Sequence, residues 1–110
     1  MWECPDLFNV NGKYVFIASP ENVILDGKNY TNNSIYSIVE YDEDKCEMKI
    51  VNDYNYVDLG LDLYAPQTTL DKYGKRIMIG WMRMPNIVNL RKIINIFDNI
   101  GKFYRLVIDK

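Results

Sequence analysis

The chain has 110 residues, 48% of them hydrophobic and 25% charged, and a formal net charge of −2. That bounds it to one ordinary domain, too apolar for disorder and without the run of about 18 apolar residues that a spanning helix needs. Lys and Arg are scattered and form no stripe, so no nucleic-acid partner is expected, and no membrane partner either. The absence of histidine removes the commonest metal ligand and general base. Cys4 and Cys46 alone cannot build a zinc site and read as reduced thiols, so neither a metal nor a cofactor is expected. An acid at the third position and no basic leader argue against a secretory signal in this stretch, which says nothing of where a longer parent is sent; a cytoplasmic location is the expectation, a secreted parent carrying its signal on an N-terminal part.

The first stretch, Met1–Phe8, sets Glu3 between Trp2 and Cys4. Pro5 is expected to hold Cys4 extended and removes one backbone donor. A carboxyl packed beside Trp2 and Cys4 would lose hydration, which favours its neutral form, and a neutral carboxyl is what a general acid has to be. The bland alternative is a solvated glutamate near a frayed end. Next, Asn11-Gly12 between β-rich flanks signals a hairpin through a type I′ turn. Ser19–Asn33 is polar and reads as a long loop. Ile35–Tyr41 and Cys46–Val51 form a second hairpin around Asp42–Lys45, the latter strand alternating as a half-buried strand should. Asn52–Gly60 reads as a loop. Tyr64–Asp71 is a strand whose Pro66 marks an edge or a bulge, Asp71–Gly74 turns the chain, and Arg76–Met82 returns.

These six strands make an all-β, antiparallel chain: a sandwich, a barrel or part of a propeller. From Asn86 the pattern changes. Leu90, Ile93, Ile94 and Phe97 recur at helical spacing with Gly101 as a stop, and Phe103–Ile108 reads as a strand.

Trp2-Glu3-Cys4-Pro5-Asp6 resembles the motif around the acid/base glutamate of the family 32 glycoside hydrolases: invertases, sucrose-6-phosphate hydrolases and fructan hydrolases. Leu61–Thr68 and then Gly74–Met82 resemble the same family's next block, in the right order. The resemblance runs from Met1 to about Pro85, and its abrupt end sets residues 86–110 apart as a divergent tail: either the chain is a divergent relative or, the preferred reading, its reading frame changed near Pro85. It implies about one and a half blades of a five-bladed β-propeller, four strands to a blade. It also implies hydrolysis of β-fructofuranosidic bonds with retention, in sucrose, sucrose 6-phosphate or fructans, the small-carbohydrate partner of such an enzyme.

Retention needs two carboxyls roughly 5–5.5 Å apart. The resemblance gives Glu3 the acid/base role and makes Cys4 its neighbour in the sugar pocket, while Asp6 anchors the turn rather than reacts. Asp62 and Tyr64 correspond to positions at the mouth of the pocket, and Trp81 offers a ring to the sugar. For Tyr64 and Trp81 the competing reading is packing between strands, and for Asp62 a solvated loop acid. Gly80 fits close strand approach. The family's Asn-Asp-Pro-Asn-Gly-like nucleophile segment and its Arg-Asp-Pro segment are not in the sequence. Asp58 and Asp62 lie in surroundings of the downstream block and are rejected as substitutes. The expected partner is therefore the N-terminal part of such a propeller. The alternative is a non-catalytic carbohydrate-binding or structural remnant, which would have no reason to keep Trp2–Asp6 intact.

Overall fold

A computed structural model describes residues 1–31, 33–60, 63–82 and 102–108, the last stretch and Met82 through the backbone. The expected helix around Leu90–Phe97 and its stop at Gly101 lie outside the described residues, as does Asp62. Ten strands occur among the described residues, with no helix. They are β1 (Trp2–Val10), β2 (Lys13–Pro20), β3 (Ile24–Leu25), β4 (Lys28–Asn29), β5 (Ile35–Asp42), β6 (Glu47–Ile50), β7 (Asn55–Tyr56), β8 (Leu63–Leu70), β9 (Arg76–Met82) and β10 (Lys102–Ile108).

The first sheet is an antiparallel meander in the order β1-β2-β5-β6, with β7 added beside β5. Its opening turn follows from Asn11 and Gly12, at φ 52° and 77°, the two left-handed residues that a type I′ turn requires. Asn9 closes it by accepting the Gly12 amide at 3.0 Å. The second sheet has the order β10-β9-β8. Asp71 shapes its turn, accepting the amides of Tyr73 and Lys75 at 2.8 Å each. A sheet of four strands in series with the short β7 beside them, and three strands of the next, are the blade arrangement expected for part of a propeller.

Four local readings differ from expectation. The loop over Ser19–Asn33 contains the small β3–β4 hairpin, because Asp26-Gly27 at φ 49° and 77° forms another turn of the same hand. The loop over Asn52–Gly60 contains β7, which extends β5's pairing through Ile35 and Tyr36. Glu47, Met48 and Lys49 of β6 are all exposed instead of alternating, because β6 is the outer edge of its sheet and neither face is covered. Cys4 is not extended: it sits at φ 48°, in a break of the β1–β2 register between Glu3 and Asp6.

The core lies between the sheets. Phe8 from β1, Ile17 from β2 and Met78 from β9 meet there, with Val10, Val15, Tyr36 and Val57 around them. The Arg76 guanidinium lies over the Phe8 ring, 5.0 Å from its centroid, and Gly80 accommodates the Leu63 side chain.

Candidate active site

Two bulges face each other where β1 meets β8. In β1 the register breaks at Cys4-Pro5; in β8 it breaks between Tyr64 and Gln67, where Ala65 takes φ 50° before Pro66. Each proline follows a left-handed residue, and each break turns neighbouring side chains toward the seam. Pro66 thus lies at a bulge, in a strand that is also the edge of its sheet.

Polar groups stitch this seam. Gln67 donates its Nε2 to the Cys4 carbonyl at 2.9 Å. Asp6 Oδ2 accepts the Thr68 amide at 2.8 Å and the Thr68 hydroxyl at 2.6 Å. Asp6 therefore anchors, but it anchors one sheet to the other and not a turn. Beneath it, the Ala65 amide donates to Ser19 Oγ at 3.1 Å, and Ser19 Oγ lies 3.0 Å from Ser34 Oγ. Ser34 donates to the Leu63 carbonyl at 3.4 Å, so its single hydroxyl proton is committed there and Ser19 must donate to Ser34. Both serines are buried, and the chain of bonds leaves neither unsatisfied.

The seam fixes Tyr64, whose ring is 5% exposed. Its hydroxyl lies 2.8 Å from Glu3 Oε2 and 2.8 Å from Glu21 Oε1. Burial raises the Tyr64 hydroxyl well above its ordinary value, and the bonds to Glu3 and Glu21 raise it further. Glu3 and Glu21 are half-buried, so the carboxyl end of the site reaches solvent while the ring behind it is dry.

The residues read as site candidates thus fall as follows. Glu3 and Tyr64, 61 positions apart, are in direct contact. Trp81 is half-buried directly across the β8–β9 ladder from Tyr64, so the two side chains share a face. Cys4 is half-buried beside Glu3 and lends its carbonyl to the seam. Trp2 does not shield Glu3. It alternates to the other face of β1, where its ring lies 6.1 Å from both Phe16 and Tyr54. The surroundings of Glu3 come instead from β8.

Glu21, Ser19 and Ser34 were not singled out in the sequence. A signal for the first two existed. Counting back from the Asn11-Gly12 turn along the hairpin sets Glu3 opposite Pro20, next to Ser19 and Glu21, and the bulge in β1 then shifts Glu3 by one residue to pair with Ser19. Among the described residues no cluster of acids, thiols or histidines is suited to a metal ion, and no helix is long and apolar enough to cross a membrane.

A half-buried carboxyl held by a tyrosine at the junction of two antiparallel sheets is an arrangement suited to exchanging a proton. Residues 1–98 match the glycosyl hydrolases family 32 N-terminal domain, and the chain belongs to that family. The sucrose-6-phosphate hydrolase of Staphylococcus xylosus is 43% identical over 89 residues, covering 79% of this chain and 18% of that protein. That of Bacillus subtilis (strain 168) is 43% identical over 88 residues, covering 78% and 18%. Among solved structures, the Bombyx mori GH32 beta-fructofuranosidase superposes with a TM-score of 0.73 at 36% identity, over 97% of this chain and 22% of that one. The chain therefore spans about a fifth of the length of these relatives.

Proposed function

We propose that this chain supplies the acid/base part of a retaining β-fructofuranosidase site, with Glu3 as the group that protonates the leaving oxygen and then activates water. The observation that carries the reading is the contact between Glu3 and Tyr64. It joins the two sequence blocks at one point and fixes one carboxyl oxygen, while Oε1 accepts no hydrogen bond among the described residues. A carboxyl fixed at one oxygen and open at the other is suited to exchanging a proton with a substrate. Trp81, on the Tyr64 face of the second sheet, offers an apolar ring to the C–H face of a sugar, and Cys4 borders the same pocket. Asp62, which lies outside the described residues, keeps its assignment to the sugar-binding set from the family resemblance alone.

The substrate class is a β-fructoside, and the bacterial relatives named sucrose-6-phosphate hydrolases favour phosphorylated sucrose. A charged sugar ester does not cross a bilayer unaided, so a cytoplasmic location goes with that substrate. The nucleophile comes from a segment of the kind that precedes the glutamate in the family, and the 110 residues by themselves are expected to be silent.

The test is to incubate the purified chain with sucrose and with sucrose 6-phosphate, alone and together with a separately made N-terminal part of the Staphylococcus xylosus relative. Release of fructose only in the mixture, and its disappearance in Glu3→Ala, is the expected result. Turnover by the chain alone above the Glu3→Ala background would overturn the assignment and make Asp58 and Asp62 the first nucleophiles to examine.

A further inference from the structure

The outer edge of the first sheet carries a charge order that matches its own copy. β6 stands beyond β5, on the far side of the meander from β1, and among the described residues no strand pairs its outer side. Its four residues run Glu47-Met48-Lys49-Ile50, and the first three are exposed. Such an edge offers a row of N–H and C=O groups to any strand laid against it. Alternation puts Glu47 and Lys49 on one face of the sheet and Met48 on the other. Among the described residues neither Glu47 nor Lys49 makes an ion pair; Lys45 and Asp42 make one nearby. We propose that β6 is a self-association edge, pairing antiparallel with β6 of a second copy of this chain about a two-fold axis at Met48.

The charges select the register. A two-fold axis perpendicular to the sheet keeps every side chain on its own face, so the residues set opposite each other lie an even number of positions apart. An axis at Glu47 would oppose two glutamates, and an axis at Lys49 would oppose two lysines. The axis at Met48 sets Glu47 against the copy's Lys49 and Lys49 against the copy's Glu47. The two Met48 side chains then meet on the other face. Opposite charges directly across a ladder favour pairing and like charges oppose it.

The neighbouring strand adds to the same choice. Asp42 of β5 stands directly opposite Glu47, a like-charge pair that Lys45 offsets from the Asp42 side at 3.5 Å. The copy's Lys49 meets this acidic pair from the open side. On the other face Tyr41 stands opposite Met48, so the apolar row runs Tyr41, Met48, then the copy's Met48 and Tyr41. Met48, 40% exposed in the single chain, is covered there. A lysine on an edge strand ordinarily deters pairing. Here Glu47, two residues away, answers it, so the edge repels other strands and accepts its own. Four residues make a small interface, and the association is correspondingly weak and reversible. β2 and β5 separate this edge from β1, so the contact between Glu3 and Tyr64 lies away from the join.

The experiment is sedimentation equilibrium of the purified chain over a range of concentrations, with far-UV circular dichroism as the check on fold. The wild-type chain should show a monomer–dimer equilibrium that weakens as salt is raised. Glu47→Lys leaves two lysines on the edge and Lys49→Glu leaves two glutamates, so each should raise the dimer Kd roughly tenfold or more. Mixed in equal amounts, the two variants should associate about as tightly as wild type, because every lysine then meets a glutamate. The double variant Glu47→Lys with Lys49→Glu keeps the net charge and restores the match, so it should dimerise by itself. All other faces are the same in these proteins, so association through any of them would leave the samples alike. Wild type that stays monomeric, or single variants that associate as wild type does, would overturn the proposal. So would a mixture that associates while the double variant does not, since net charge and not register would then be the cause.

Discussion

The bulge in β1 and the bulge in β8 are the same local device put to different ends. Each places a left-handed residue before a proline, Cys4-Pro5 in one strand and Ala65-Pro66 in the other, and each breaks the ladder just there. In β1 the residue before the break is Glu3, a half-buried group that reaches solvent. In β8 it is Tyr64, a buried group that supports it. The difference teaches that the reactive carboxyl sits on the wetter bulge and its support on the drier one. Proton exchange with a substrate needs access, whereas orientation needs packing.

Removing the chemistry from the β1 bulge while keeping its shape is the strongest way to break this pairing. In the two-part enzyme, Glu3→Gln should lower kcat by roughly 100- to 10,000-fold, the usual worth of general acid–base help. The loss should shrink for substrates with activated leaving groups, which need no proton. Equal losses with both kinds of substrate would remove Glu3 from the acid role. The comparison also predicts a smaller, purely structural effect two residues past Pro66, where Asp6 holds Thr68 by two bonds. Asp6→Ala should cost about 2 kcal/mol in urea unfolding, since bonds to charged groups contribute more than neutral ones. An unchanged midpoint would mean the bulges stay matched without that clamp. Of similar size, about 1–3 kcal/mol, should be Gly80→Ala on the strand behind Tyr64. Its new Cβ would overlap Leu63 Cδ1, so the Leu63 side chain must move. Full stability in that variant would mean Leu63 has room to turn away.

Much of this was legible in the sequence because the determinants are local. Asn11-Gly12 set a hairpin, Asp71–Gly74 set another, and Pro66 announced a bulge; each depends on the residue's own backbone preference. What could not be read followed from long-range placement. Pro5 alone argued for an extended Cys4, but the seam with β8 rewards the opposite, and Gln67 bonds the carbonyl that the bulge exposes. Trp2 adjoins Glu3 in sequence, yet alternation sends it to the other face. Tyr64, distant in sequence, supplies the contact. Glu21 was hidden because a polar stretch after a strand reads as loop, although it follows β2 directly, level with Met1 and at the same end of the hairpin as Glu3. The alternation in Cys46–Val51 was real as a pattern and uninformative about burial, since the outer edge strand has nothing to pack against.

The smallest effect at neutral pH sharpens the comparison from the β8 side. The folded chain keeps the Tyr64 proton well above the ordinary tyrosine value, through burial first and then through Glu3 and Glu21. The unfolded chain gives that proton up near pH 10. The stability that follows is fully present below about pH 10 and is lost as pH rises beyond it, because the unfolded state then binds fewer protons than the folded one. Tyr54, raised chiefly by burial, and Tyr14, raised chiefly by its bond to Glu43, add to the same alkaline decline. They do so equally in a Tyr64→Phe variant, so the difference between the two proteins isolates Tyr64. Urea midpoints measured from pH 7 to 11 should therefore approach each other above pH 10, where the wild-type advantage fades. Curves that stay parallel throughout would show that the Tyr64 hydroxyl contributes no pH-dependent stability, and that the dry bulge supports the wet one by packing alone.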